Sequence, residues 1–281
     1  VRRVRVHEIE EAVKELTIKA NYEIPEETLI IFKKALEEEE SPIGKEVLSQ
    51  ILENAKASRE ESSPYCQDTG VTVVFMDIGQ EVVIEGGSLE EAVNRGVKRA
   101  TEEGLLRASM VWDPVFERKN TGDNTPAILH TRVVPGERVK IIVAPKGAGS
   151  ENTSRLAMLK PADGWEGVKN FILETVEKAG PNACPPLTVG VGIGGNFEMC
   201  AILAKRAILR PHGERSGDPL IRKIEEELIT EINKLGLGPM GFGGTVTAVD
   251  VKVEMMPCHI ASLPVAVNIQ CHASRHQEKE L

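Results

Sequence analysis

Cys66-Gln67-Asp68-Thr69-Gly70-Val71-Thr72-Val73-Val74-Phe75-Met76-Asp77-Ile78 is the stretch at which the character of the chain changes. Val71 to Ile78 is apolar and rich in β-branched residues, so it reads as a strand. The polar run Ser58 to Pro64 precedes Cys66, which leaves the five residues Cys66 to Gly70 as a loop entering that strand. Side chains on such a loop project from a rigid support. They comprise a soft metal ligand or nucleophile, an amide, a carboxylate, a hydroxyl and a glycine that permits close backbone approach. A lone loop cysteine is more often an ordinary thiol, so the motif gains meaning only from its company.

Upstream of this loop the first sixty residues read as helical. Val6 to Ala20 carries apolar residues at helical spacing among Glu and Lys, and Pro25 starts a second helix through Leu36. Ser41-Pro42 supplies an N-cap and first-turn proline for a third helix to about Ala57. Downstream, Gly79-Gln80 predicts a hairpin joining Val71–Ile78 to Glu81–Glu85, and Pro135-Gly136 predicts another joining Ile128–Val134 to Arg138–Ala144. Helices are expected after the caps Ser88, Asp163 and Asp218, with Glu91 and Glu166 completing capping boxes. Thr245 to Glu254 alternates polar and apolar residues, which predicts a half-exposed strand, and Leu263 to Ile269 reads as an apolar one. The expected fold class is therefore mixed α/β or α+β: a helical region, residues 1–60, followed by a mixed β-sheet with packed helices. A single domain over residues 1–281 is the simplest division.

Three further segments lack regular periodicity. Leu105 to Pro126 is dense in Arg, Asp, Asn and Thr and reads as a long ordered loop, in which Asn120, Asp123 and Asn124 either bond their own backbone or support a site. Lys146-Gly147-Ala148-Gly149-Ser150 follows a strand with a glycine-rich turn whose clustered N–H groups suit a carboxylate or phosphate. Pro181-Asn182-Ala183-Cys184-Pro185-Pro186 is a loop stiffened by proline on both sides of its ring-free cysteine. Gly192 to Glu198 is no dinucleotide fingerprint, because Phe197 stands where the third glycine belongs.

Composition narrows the function. A net charge of −9 argues against nucleic acid as a main partner, and 4% aromatic residues leave few stacking platforms. No apolar run approaches the roughly 20 residues that a membrane helix needs, and the N-terminus lacks the apolar core of a secretory signal. The five cysteines, Cys66, Cys184, Cys200, Cys258 and Cys271, form no Cys-x-x-Cys pair. Reduced thiols in a cytoplasm are expected, and any metal centre must be assembled from distant loops.

Taken together, Cys66–Gly70, Arg118–Ala127, Lys146–Asn152, Asn182–Pro186, Gly192–Glu198 and His259 through His272 resemble, in order, the motifs of the iron–sulfur class I fumarate hydratases and L(+)-tartrate dehydratases. The resemblance is narrowest to the α-subunit of the two-chain form. It implies a [4Fe–4S] cluster held by Cys66, Cys184 and Cys271, with Cys200 and Cys258 left to packing. One iron then keeps open positions and acts as a Lewis acid on a substrate hydroxyl. By the same resemblance Asp68 and His259 are catalytic, although His259 has a structural reading as well. Gln67, Arg107, Lys146, Gly147 and Gly149 would bind the carboxylates of a small dicarboxylate. The chain ends ten residues after Cys271, so a separate fumarate hydratase β-subunit is expected to complete the site, in an (αβ)2-type assembly. A rival reading of a different class is a non-catalytic scaffold subunit with zinc on three cysteines.

Overall fold

In chain order the secondary structure runs β1 (Arg2–Arg5), α1 (Val6–Tyr22), α2 (Glu26–Glu38), α3 (Pro42–Glu61), β2 (Val71–Gly79), β3 (Val82–Glu85) and α4 (Leu89–Glu103). It continues with β4 (Ile128–Val134), β5 (Val139–Lys146), α5 (Ala148–Asn152), β6 (Arg155–Leu159), α6 (Gly164–Ala179), β7 (Leu187–Gly195), α7 (Phe197–Ala207), α8 (Pro219–Asn233), β8 (Ala248–Cys258), β9 (Leu263–Gln270) and β10 (Gln277–Glu280). These assignments come from a computed structural model that describes residues 1–281. Mixed α and β structure is thus present as expected, with the helices concentrated first. The chain divides into two compact units, one of Val1–Pro25, Ala55–Ala148 and Arg275–Leu281, the other of Glu26–Asn54 and Gly149–Ser274.

The first unit is built on a four-stranded sheet in the order β10-β5-β2-β4. Ile9, Val13 and Leu16, three and four residues apart on α1, pack with Val93 and Val97 of α4 against Val74, Met76, Ile141 and Val143. Full burial of each such aliphatic side chain contributes about 1.5–3 kcal/mol. Neither expected hairpin forms. Strand β2 pairs antiparallel with β5 and parallel with β4, so it separates the two strands that the Pro135-Gly136 turn was expected to join. Strand β3 instead pairs in parallel with β1, Arg2 opposite Val82 through Arg5 opposite Glu85. The physical reason lies at the end of β2. There Gly79 N–H bonds Arg138 O and Gln80 N–H bonds Val134 O, so the turn atoms are spent on the flanking strands. The continuous buried run Thr72 to Met76 is that of a central strand.

The second unit centres on the sheet β6-β9-β7-β8. Val189, Val191 and Ile193 of β7 point to one face, toward a core shared with α6 and α8. Gly190 and Gly192 point to the other, where a Cβ would fall 2.2 and 2.0 Å from the backbone oxygens of Ala204 and Cys200. Helix α7 therefore lies directly on the strand, and its Cys200 is buried.

Strand β8 departs from the half-exposed strand its alternation suggested: Ala248 to Val253 is buried throughout. Its polar residues pair internally instead of facing water. Lys252 Nζ lies 2.9 Å from Asp250 Oδ2, both side chains are fully buried, and Arg215 also bonds Asp250. Burial opposes ionisation of Asp250, but Lys252, Gly213 N–H and Arg215 outweigh it and hold the carboxyl below its ordinary range.

Ser41, Ser88 and Asp218 cap their helices as expected, accepting from Gly44 N–H, Glu91 N–H, and the N–H groups of Leu220 and Ile221. Asp163 does not cap α6; its carboxylate accepts Lys160 N–H in the preceding turn. No helix is long and apolar enough to cross a membrane.

Candidate functional site

In the first unit the Cys66 loop is fixed by its neighbours. Gly70 adopts φ +76°, and a Cβ there would meet the Lys146 backbone at 2.7 Å, so only glycine lets this loop seat against β5. Asp68 Oδ1 accepts Gly70 N–H at 3.0 Å and Oδ2 accepts Ala148 N–H at 2.7 Å. The N–H groups of the glycine-rich turn, expected to face an anion, thus include one that grips Asp68. Thr69 Oγ1 donates to Arg107 O at 2.9 Å, which places Arg107 beside the loop with an exposed side chain. Gln67 is exposed, Cys66 and Asp68 are half-buried, and Lys146 and Gly147 are buried.

Asn124 joins the long loop to this motif. Its Nδ2 donates to Gly70 O and its Oδ1 accepts Ser109 N–H, both at 2.9 Å, with the residue itself left-handed and buried. Asn120 and Asp123 take the other expected role and bond the local backbone at Gly122 and Thr125. Arg275 also reaches the loop: Nη2 donates to Asp68 O at 2.5 Å, and Nη1 donates to Asn21 Oδ1 at 3.2 Å. Sequence reasoning missed Asn21 and Arg275, since neither lies in a motif. The charged residue four positions past Cys271 was the only available signal.

In the second unit, Cys184 and Cys271 are neighbours. The backbone N–H and the Nδ1 of His272 both meet Cys184 O at 3.2 Å. Cys184 itself is left-handed at φ 53°, ψ 66°, an uncommon conformation for a side-chain-bearing residue and one often found at functional sites. Gly149 lies against the same loop, where an added Cβ would stand 3.2 Å from Asn182 O. His259 is not part of this group. Thr188 is opposite Gln270 at one end of β7, while Gly195 is opposite Cys258 at the other. At about 3.3 Å per residue, this separates His259 from Cys184 and Cys271 by roughly 20 Å. His259 is exposed, and its Nδ1 accepts Ala261 N–H at 3.1 Å.

The cysteines fall into two kinds. Cys66, Cys184 and Cys271 are half-buried on loops, none in a disulfide. Cys200 is wholly buried, its thiol pushed up by that burial and donating to Phe197 O. Cys258 is exposed and donates to Ser262 O. Partly accessible thiols on stiff loops are the donor chemistry an iron–sulfur centre needs, and the first three residues fit it.

The model of the fumarate hydratase (Fumerase) family matches residues 10–280. A Methanocaldococcus jannaschii chain, provisionally named L(+)-tartrate dehydratase subunit alpha, is 45% identical over 277 residues and 97% of each chain. The L(+)-tartrate dehydratase subunit alpha of Escherichia coli K12 is 32% identical over 272 residues, 96% of this chain and 89% of that one. The same holds for its Shigella sonnei counterpart, also 32% identical. The chain belongs to the fumarate hydratase (Fumerase) family. It is accordingly a hydro-lyase, an enzyme that adds or removes water across a carbon–carbon bond.

Proposed function

We propose that this chain is the α-subunit of a two-chain hydro-lyase that interconverts fumarate and L-malate, with Cys66, Cys184 and Cys271 holding a [4Fe–4S] cluster. The observation that carries the reading is the direct link between the Cys184 and Cys271 loops through His272. When bound, such a cluster supplies a Lewis-acidic iron that makes hydroxide a tolerable leaving group.

The chain's own residues do the rest. Asp68, its carboxylate aimed by two backbone N–H groups, exchanges a proton with the substrate hydroxyl. The exposed Arg107 grips one substrate carboxylate, ideally through a bidentate pair. Gln67 orients a carboxylate oxygen, and Lys146 with the Gly147–Gly149 turn receives the second carboxylate. His259 stands at the far end of the sheet from Cys184 and Cys271, so its catalytic role belongs to a site completed by a second polypeptide. A β-subunit fits the relatives named as subunit alpha, and an (αβ)2-type assembly in the cytoplasm follows from the same reading.

Dehydration of L(+)-tartrate is the second reading, favoured by the names of the relatives. Initial rates on L-malate and L(+)-tartrate, measured anaerobically on the chain reconstituted with its partner, separate the two. Full activity of the isolated chain would overturn the two-chain reading.

A further inference from the structure

Arg275 is 3% exposed, yet no carboxylate of the chain pairs with it. Its Nη1 and Nη2 donate to Asn21 Oδ1 and to the backbone oxygen of Asp68, and its Nε–H is buried without an acceptor. A buried guanidinium lacking a counter-ion is strongly disfavoured unless the site has a use for it. Gly147 lies alongside: a Cβ there would be 3.2 Å from Asp68 Oδ2 and 3.8 Å from Arg275 Nη2. Asp68 is therefore held from two directions, by N–H groups at its carboxylate and by Arg275 at its peptide carbonyl. Asn21 completes the brace, since its own carbonyl accepts Tyr65 N–H immediately before Cys66.

We infer that Arg275 is the positioning residue of Asp68, fixing the Cys66–Asp68 loop by its guanidinium and adding a buried positive charge beside the place a dicarboxylate occupies. The inference rests on the hydro-lyase reading for its kinetic consequence, but the positioning itself is a property of the folded chain. Misplacement of a reacting group by an ångström costs on the order of 100-fold in rate, so a modest shift of Asp68 is visible in kcat.

Two variants test it, Arg275→Gln, which removes the charge, and Arg275→Lys, which keeps the charge but loses the planar fork. Hydrogen exchange of the Ala148 amide in the chain without cluster reports the Asp68 contact directly. Faster exchange at Ala148 in both variants, with other β2 and β5 amides unchanged, is expected. In the two-chain enzyme at matched iron content, kcat falls by about tenfold or more, KM for the dicarboxylate rises more in Arg275→Gln than in Arg275→Lys, and added guanidinium ion restores part of the Arg275→Gln rate. Unchanged Ala148 exchange overturns the inference, as does a rate loss that merely tracks lost iron or lost folded protein. If wild-type enzyme shows no hydratase activity, the functional reading fails, while the exchange experiment still decides the positioning role.

Discussion

His272 meets the carbonyl oxygen of Cys184 twice, through its backbone N–H and through its imidazole Nδ1, each at 3.2 Å. For the ring to donate there, the neutral tautomer must carry its proton on Nδ1. The residue after one candidate ligand thereby sets the backbone of another, which is the kind of support that keeps a metal-binding loop in place before the metal arrives.

Replacing His272 by Ala removes the ring contact and keeps the backbone one. The expected cost is about 1 kcal/mol, or a fall in Tm of roughly 2–4 °C for a chain of this size. Iron retention after brief exposure to air should fall by more than stability does. Calorimetry and iron analysis on the same preparation check both.

Gly147→Ala places a methyl group 3.2 Å from Asp68 Oδ2 at a backbone conformation that tolerates a side chain. The fold should survive and kcat should fall, by about tenfold or more. Gly70→Ala is different, because its left-handed φ and its 2.7 Å approach to Lys146 leave no room to adjust. Soluble expression of the two variants, followed by assay of the first, checks the contrast.

The cysteines should separate by colour. Cys200→Ser keeps a donor for Phe197 O in a fully buried position, and Cys258 is exposed at the end of β8. Neither Cys200→Ser nor Cys258→Ser should change the iron content of the purified chain, whereas Cys66→Ser, Cys184→Ser or Cys271→Ser should abolish the visible absorbance.

Asp250→Asn leaves the buried Lys252 without its carboxylate, a change expected to cost about 3–5 kcal/mol. Protonating Asp250 does the same by acid. Because its folded carboxyl titrates below the ordinary value, Asp250 binds fewer protons folded than unfolded. The stability it contributes is present above about pH 4 and is lost as pH falls through the folded value. The gap between the urea midpoints of wild type and Asp250→Asn should therefore hold from pH 7 to about pH 4 and narrow as the pH falls further.

Where the order of elements was legible from sequence, local chemistry was the reason. Ser41-Pro42, Ser88 and Asp218-Pro219 announce helix starts through their own side chains, and each caps as expected. Strand pairing was not legible at Gly79-Gln80 or Pro135-Gly136. Both turns have hairpin chemistry, yet strand order is decided by which partner buries β2, a long-range choice. Strand β8 misled because polar alternation cannot distinguish water from an internal ion pair such as Asp250 with Lys252. Within the candidate site, Cys66, Asp68 and Cys184 stand out by motif. Asn21 and Arg275 do not, since their importance arises only when opposite ends of the chain meet at Asp68 O and Asn21 Oδ1.

The most direct test of a cluster on Cys66, Cys184 and Cys271 is iron and acid-labile sulfide measured on the anaerobically purified chain, wild type beside Cys271→Ser. The wild-type protein is expected to be brown, with about four iron and four sulfide per chain, and the variant colourless. A colourless wild type holding one zinc, or a Cys271→Ser variant that keeps its iron, would contradict that assignment.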